Sequence, residues 1–98
     1  MTTDGVTAAL KMLGDNADAV AATLGRLGIK GHPLRMDVCP VAEFLKLRFP
    51  GHTFEVSGRS IRTPDMKPFG IHTPVAVEEF VAGFDHGQWP ELFAKVGA

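Results

Sequence analysis

The chain has 98 residues and a formal net charge of -1, with 45% hydrophobic and 21% charged residues. This composition is typical of a single folded domain over residues 1–98, and it excludes a disordered chain and a histone-like basic protein. A single cysteine excludes an internal disulfide framework, and Met1–Gly5 show no secretory signal. No apolar run approaches the roughly 20 residues that cross a bilayer, so we expect a cytoplasmic protein without a membrane partner.

Two short helices are predicted at the start of the chain. The first spans residues 4–13 and the second spans residues 16–27, because apolar residues recur there at helical spacing. Leu27 belongs to the apolar stripe of the second helix. All aromatic residues follow residue 43, and large rings bury the most area per residue. The stable core is therefore expected to centre on residues 38–96, with the first two helices depending on it.

A third helix is predicted over residues 38–49, with Asp37 as its cap. Its apolar positions, which include Leu47, cover more than half of its circumference. Such a helix is expected at the centre of the fold, with neighbours on two sides. Cys39 lies on the opposite, more polar side of this helix and is expected to be half-buried.

Residues 53–63 alternate as the two strands of a hairpin, joined by a two-residue turn whose first residue is glycine. This turn sets a register in which Val56 faces Ile61 and Glu55 lies opposite Arg62. One pair is apolar and the other has opposite charges, so both pairs favour this alignment.

The remaining elements complete an α+β fold. A third strand is predicted at Phe69-Gly70-Ile71, because a lone hairpin is barely stable. Two further helices are predicted over residues 74–84 and 90–96. The expected fold class is α+β, with about five short helices and a two- to three-stranded antiparallel sheet.

The residues that could carry catalysis are few. Cys39 lies in the first turn of a predicted helix, where the helix dipole favours a thiolate, but no histidine base is near it in sequence. The histidines are far apart and lie in or beside loops: His32, His52, His72 and His86. We therefore predict no catalytic residue, no metal site and no cofactor, and an enzyme that uses Cys39 is the third-ranked alternative.

The leading hypothesis is a small non-enzymatic module that binds a protein. It depends on the absence of a recognisable catalytic pattern and on the uneven charge along the chain, which is acidic in its last third. Tryptophan is enriched among residues that dominate interfaces, which favours Trp89 as a contact residue. A homodimer is an open alternative to a different partner protein. The predicted partner-binding residues are Glu78, Glu79, Asp85, Trp89 and Glu91.

Nucleic-acid binding is the second hypothesis. Three helices followed by a hairpin is the element order of a winged-helix protein, and the middle of the chain is basic. Against it, the first turn of the third helix has almost no side chain that could read a base edge. The residues predicted to contact nucleic acid in this alternative are Arg35, Lys46, Arg48, Arg59 and Arg62.

Three segments carry a resemblance to known sequences: residues 39–45, which read CPVAEFL, residues 73–77, which read TPVAV, and residues 84–92, which read FDHGQWPEL. They resemble small uncharacterised proteins of actinobacteria and their bacteriophages, over about residues 17–96. The resemblance implies no activity and no site residue. It implies a phage-encoded modulator of a host protein, in which the Cys-Pro turn and the Trp-Pro segment belong to the architecture.

Overall fold

The computed structural model describes residues 3–63 and 71–94. Over these residues the protein is an α+β fold with four α-helices, a three-stranded antiparallel sheet and one short 3₁₀ helix. The helices are α1 (Thr3–Lys11), α2 (Ala17–Arg26), α3 (Pro40–Arg48) and α4 (Val75–Asp85), with the 3₁₀ helix at Pro90–Leu92. The strands are β1 (Glu55–Val56), β2 (Ser60–Arg62) and β3 (Ile71–His72).

The predicted fold class is confirmed, with one α-helix fewer than expected. The predicted helix over residues 90–96 is a single 3₁₀ turn, and residues 95–96 lie outside the described residues. Gly31 is the physical reason: its N–H donates to the Leu92 carbonyl at 2.9 Å, and its own carbonyl accepts from the Ala94 N–H at 2.8 Å. This pairing holds the chain extended after Leu92, so the helix ends there.

The two N-terminal helices belong to the centre of the core. Leu10 of α1 and Leu24 of α2 are fully buried, in one cluster with Phe80 and Phe84 of α4. The expectation of a core centred on residues 38–96 is therefore wrong. It gave too much weight to ring area: α2 packs against α4, so aliphatic side chains from the first helices fill the space beside the rings.

Helix α3 begins two residues later than predicted, and its cap is Cys39 instead of Asp37. A residue before proline is restricted to extended backbone, and Cys39 has a ψ of 161°, so the helix starts at Pro40. The Cys39 Sγ accepts a hydrogen bond from the Ala42 N–H at 3.5 Å. Cys39 is also fully buried, whereas the sequence pattern predicted a half-buried side chain on the polar side of the helix.

The predicted hairpin register is confirmed: Glu55 pairs with Arg62 and Val56 pairs with Ile61. The predicted turn type is wrong, because Gly58 does not have the positive φ that a glycine-first turn requires. The Ser57 side chain closes the turn instead, since its Oγ accepts a hydrogen bond from the Ser60 N–H at 3.1 Å.

The outer strands are both supported by neighbours. Strand β3 pairs with β2, and Ile61 lies beside Ile71. The third strand therefore lies at the end of the predicted segment, of which Phe69 and Gly70 are outside the described residues. On the other edge of the sheet, the Val56 N–H donates to the Met36 carbonyl at 2.8 Å. The loop before α3 therefore covers part of the β1 edge.

Candidate functional site

An apolar groove lies where the C-terminal ends of α1, α2 and α3 meet, with a volume of about 370 Å³. Its size falls in the range of about 300–1,000 Å³ that is usual for ligand pockets. The groove is lined by Met12, Leu13, Thr23, Leu27, Ile29, Phe44, Leu47 and Arg48. Arg48 is the only charged residue in this lining.

Three large apolar side chains of the groove are exposed to solvent. Met12 is 73% exposed, Leu27 is 56% exposed and Leu47 is 69% exposed. They come from three separate parts of the chain, and the fold brings them to one place. Single exposed apolar residues are ordinary on protein surfaces, but several around one groove are typical of an interaction site.

Helix α3 forms one wall of the groove because it has two apolar faces. Leu45 and Val41 point into the core and are fully buried. Leu47 is two residues from Leu45, about 200° around the helix, and shares the second face with Phe44. Helix α3 has neighbours on two sides, α1 and β1, as predicted, but its second apolar face lines the groove and leaves Leu47 uncovered.

A second, larger cavity of about 490 Å³ has more charged residues in its lining. Its lining includes Arg35, Asp37, Lys46 and Glu55. The Arg35 and Asp37 side chains form an ion pair with 3.8 Å between Nε and Oδ1. Because charged groups lose hydration when a partner covers them, this cavity supplies less binding free energy than the apolar groove.

The predicted acidic residues of α4 lie on different sides of the helix. Glu78 and Asp85 are seven residues apart and share one face. Asp85 is already engaged, since its Oδ1 accepts a hydrogen bond from the Leu34 N–H at 2.8 Å. Glu79 lies about 100° further around the helix than Glu78. Glu91 lies in the 3₁₀ helix. The structure therefore spreads these carboxylates over more than one surface.

Trp89 packs against the aromatic side of α4. Its ring stacks on Phe80 with 5.0 Å between the ring centroids, and the side chain is half-buried. A Cβ added at Gly83 would lie 2.8 Å from the Trp89 ring. Glycine at position 83 is therefore what allows the ring to sit this close to the helix. The indole packs the start of the 3₁₀ helix against α4, and one face of the indole ring lies on Phe80.

The predicted basic residues lie on more than one element. Arg35 and Lys46 line the second cavity, and Arg48 lines the apolar groove. Arg59 lies in the turn between β1 and β2, while Arg62 pairs across the hairpin with Glu55, which also lines the second cavity. Arg48 therefore lines a different surface from Arg35 and Lys46.

The first turn of α3 cannot act as a recognition element. Pro40, Val41 and Ala42 are all buried, whereas a recognition helix offers exposed polar side chains at its N-terminal end. The winged-helix alternative therefore keeps the basic residues but lacks a helix that could enter the major groove.

Cys39 has the opposite environment from a nucleophile. Burial raises the pKa of its thiol to about 11, and the backbone N–H of Ala42 offsets this only in part. A catalytic cysteine needs a thiolate and access for its substrate. The thiol of Cys39 is protonated at neutral pH and serves as the cap of α3.

Within residues 3–63 and 71–94, no three His, Cys, Asp or Glu side chains are close enough to hold a metal ion together. None of the helices in the same part of the chain combines the length and the apolar composition that crossing a bilayer requires. Comparisons of the chain with protein-family models, with curated proteins and with solved structures find no match.

The groove was missed at the level of the sequence, although a signal was present. Leu27 and Leu47 were both interpreted as parts of core-facing stripes. Leu47 lies about 200° from the buried Leu45, so the two cannot face the same neighbour. An apolar face in excess of what one core needs, combined with Met12 near the end of a predicted helix, is the pattern that indicates this surface.

Proposed function

We propose that the protein is a non-enzymatic, cytoplasmic interaction module that binds a partner protein through the apolar groove. The observation that supports this most is the convergence of Met12, Leu27 and Leu47, each more than half exposed, on one groove. Covering apolar surface releases free energy of about 25 cal/mol per Å², so such a groove gains more from a partner than a charged surface does.

The environments of the other candidate residues favour the same function class. The Cys39 thiol is buried and protonated, which does not suit catalysis. The first turn of α3 is buried, which does not suit a recognition helix. The acidic residues Glu78 and Glu79 remain a second, separate surface to be tested beside the groove.

A peptide-display selection tests the proposal. Random peptides are selected on the immobilised full-length protein and then measured, one by one, against variants. Leu47→Ser removes an apolar side chain from the groove wall. Val75→Ser is the matched control, because Val75 is also a largely exposed aliphatic residue of a helix but lies outside the groove.

We expect selected peptides to bind the wild type and Val75→Ser equally, and to bind Leu47→Ser at least about tenfold more weakly. A double variant, Glu78→Lys/Glu79→Lys, tests the acidic surface in the same assay. Peptides that lose binding to this double variant but not to Leu47→Ser would reject the groove in favour of the acidic surface. A selection without enriched binders would reject the interaction module itself.

A further inference from the structure

We infer that the groove takes an amphipathic α-helix of the partner, with acidic residues beside its apolar face. This inference rests on the proposed function and adds the chemistry and conformation of the occupant. Two independent features of the groove support it: how its polar atoms are used, and which charges surround it.

The backbone around the groove does not offer the alternating donors and acceptors with which an extended peptide pairs. The lining residues lie at the C-terminal ends of α1, α2 and α3, where the helices use the N–H groups and leave carbonyls as acceptors. At the end of α2, for example, the N–H groups of Leu27 and Ile29 donate to the carbonyls of Thr23 and Leu24. No strand of the described residues borders the groove, so binding by strand addition has no free edge to use.

The one hydroxyl in the lining is also committed. Thr23 Oγ1 donates to the Leu13 carbonyl at 2.7 Å and accepts from the Arg26 guanidinium at 3.2 Å. An occupant with unpaired backbone groups would therefore bury them without partners, and each such group would weaken binding by about 5–150-fold. An α-helix satisfies its own backbone and presents apolar side chains at i, i+3, i+4 and i+7.

Three basic side chains of the described residues lie at or next to the groove, and together they outweigh the partial negative charge of the three helix C-termini there. Arg48 lines it, Arg26 is held at its edge through the hydrogen bond to Thr23, and Lys11 directly precedes Met12. Each of these basic residues lies in the last turn of its helix. The nearest acidic residue on α3, Glu43, is paired with Lys46 at 3.0 Å, and no acidic residue of the described chain lines the groove.

A local positive charge of this kind selects for acidic flanks on the occupant. The whole chain has a net charge of -1, so its overall field does not attract an acidic peptide. A preference for acidic flanks would therefore have to come from the cations around the groove. Such a preference is expected to weaken with salt, because exposed charges are screened.

Designed peptides test the inference by fluorescence anisotropy on the full-length protein. Three fluorescein-labelled helical peptides share leucines at i, i+3, i+4 and i+7 in an alanine background and differ only in flanking Glu, Gln or Lys. A fourth peptide has Glu flanks but serines in place of the leucines. A fifth has Glu flanks, the leucines and a central proline, which breaks the helix.

The expected order of affinity is Glu-flanked, then Gln-flanked, then Lys-flanked, with about tenfold between the first and the last at low salt. Arg48→Gln is expected to reduce the ratio between the Glu-flanked and Lys-flanked affinities to about threefold or less. The control is Arg62→Gln, which changes an exposed arginine outside the groove and is expected to leave this ratio unchanged. The serine and proline peptides are expected not to bind.

Other outcomes overturn the inference in distinguishable ways. Equal binding of the three leucine peptides would refute the acidic occupant and leave the proposed function standing. Equal binding of the proline peptide would refute the helical occupant. No binding by any leucine peptide would reject both proposals. Dimerisation in sedimentation that Leu47→Ser abolishes would assign the groove to a second copy of the chain and overturn the inference.

Discussion

Two helix glycines are predicted to respond in opposite directions to the same substitution. Gly25 is in the last turn of α2 and Gly83 is in the last turn of α4. Alanine is a better helix former than glycine by about 0.5–1 kcal/mol, because glycine loses more backbone entropy on folding. Propensity alone therefore predicts that Gly25→Ala and Gly83→Ala both stabilise the protein.

The surroundings of the two glycines reverse this expectation at one of them. A Cβ at Gly25 would meet only the Leu92 Cδ2, at 3.8 Å, which is an ordinary contact. A Cβ at Gly83 would lie 2.8 Å from the Trp89 Cζ3 and 2.8 Å from the Gln88 Oε1. The Gln88 side chain can move away. The Trp89 ring is held by its stacking on Phe80, which lies on the same helix as Gly83.

The magnitude follows from these contacts. Displacing the ring costs about 1–3 kcal/mol, as overpacking usually does, and includes about 0.5–1.5 kcal/mol of ring stacking. Subtracting the propensity gain leaves Gly83→Ala destabilised by about 0.5–2 kcal/mol. Gly25→Ala is expected to gain up to about 1 kcal/mol, or roughly 4–8 °C in Tm for a domain of this size.

Urea denaturation followed by circular dichroism measures both changes, with an unchanged slope as the check that the two-state analysis holds. The background variant Trp89→Ala then isolates the ring. Without the indole, the methyl group of Gly83→Ala meets only the Gln88 side chain, which can move away, so the substitution is expected to stabilise that variant as Gly25→Ala does in the wild type. The coupling between positions 83 and 89 is expected to be about 1–3 kcal/mol.

The reasoning would be refuted if Gly83→Ala stabilised the wild type by the same amount as Gly25→Ala. It would also be refuted by additive effects of Gly83→Ala and Trp89→Ala. Either result would mean that the indole does not pack on α4, which would return Trp89 to the set of residues available to a partner.

Four further predictions concern the Cys39 thiol, the Leu34 backbone and its hydrogen bond to Asp85, and Gly31. Because the folded pKa of Cys39 is about 11, the unfolded thiol ionises first as pH rises. Its contribution to the free energy of unfolding is complete below about pH 8 and is lost, by up to about 3 kcal/mol, towards pH 11. Urea titrations at stepped pH should show this fall in the wild type and not in Cys39→Ser. An equal pH dependence of the two proteins would contradict the prediction. Leu34 has a φ of 63° and is 78% exposed, so Leu34→Gly should stabilise by about 0.5–1 kcal/mol while Leu34→Ala changes Tm little. Asp85→Ala should cost about 0.5–1.5 kcal/mol of unfolding free energy through the lost Leu34 hydrogen bond, whereas Asp85→Asn keeps an acceptor and should match the wild type; equal losses would rule out this bond. Gly31→Ala should cost more than about 2 kcal/mol in the same titration, because the added Cβ would overlap the backbone of Val38 and Pro40, and a neutral effect would contradict that packing.

The parts of the fold that were predicted correctly depend on local rules. The hairpin is the clearest example, because a two-residue connection leaves one register in which Val56 meets Ile61. The errors arose where distant residues decide the outcome. The predicted last helix gave way to pairing with Gly31, about sixty residues earlier, and no local pattern indicates that contact.

The candidate site shows the same division. The apolar character of Leu27 and Leu47 is visible in the sequence, but which apolar face is covered depends on where α1, α2 and α3 end relative to each other. Periodicity reports that a face is apolar and not which neighbour covers it. The groove therefore needed the tertiary structure.

The pairing of Gly31 with Leu92 and Ala94 also orders events during protein synthesis. Residue 31 leaves the ribosome long before its hydrogen-bonding partners exist. The stripe of α2 that α4 covers, which includes Val20 and Leu24, must likewise wait for the last third of the chain. A nascent chain stalled before residue 92 would expose these aliphatic side chains to chaperones, and the pairing with Gly31 can form only after residues 92–94 have been translated.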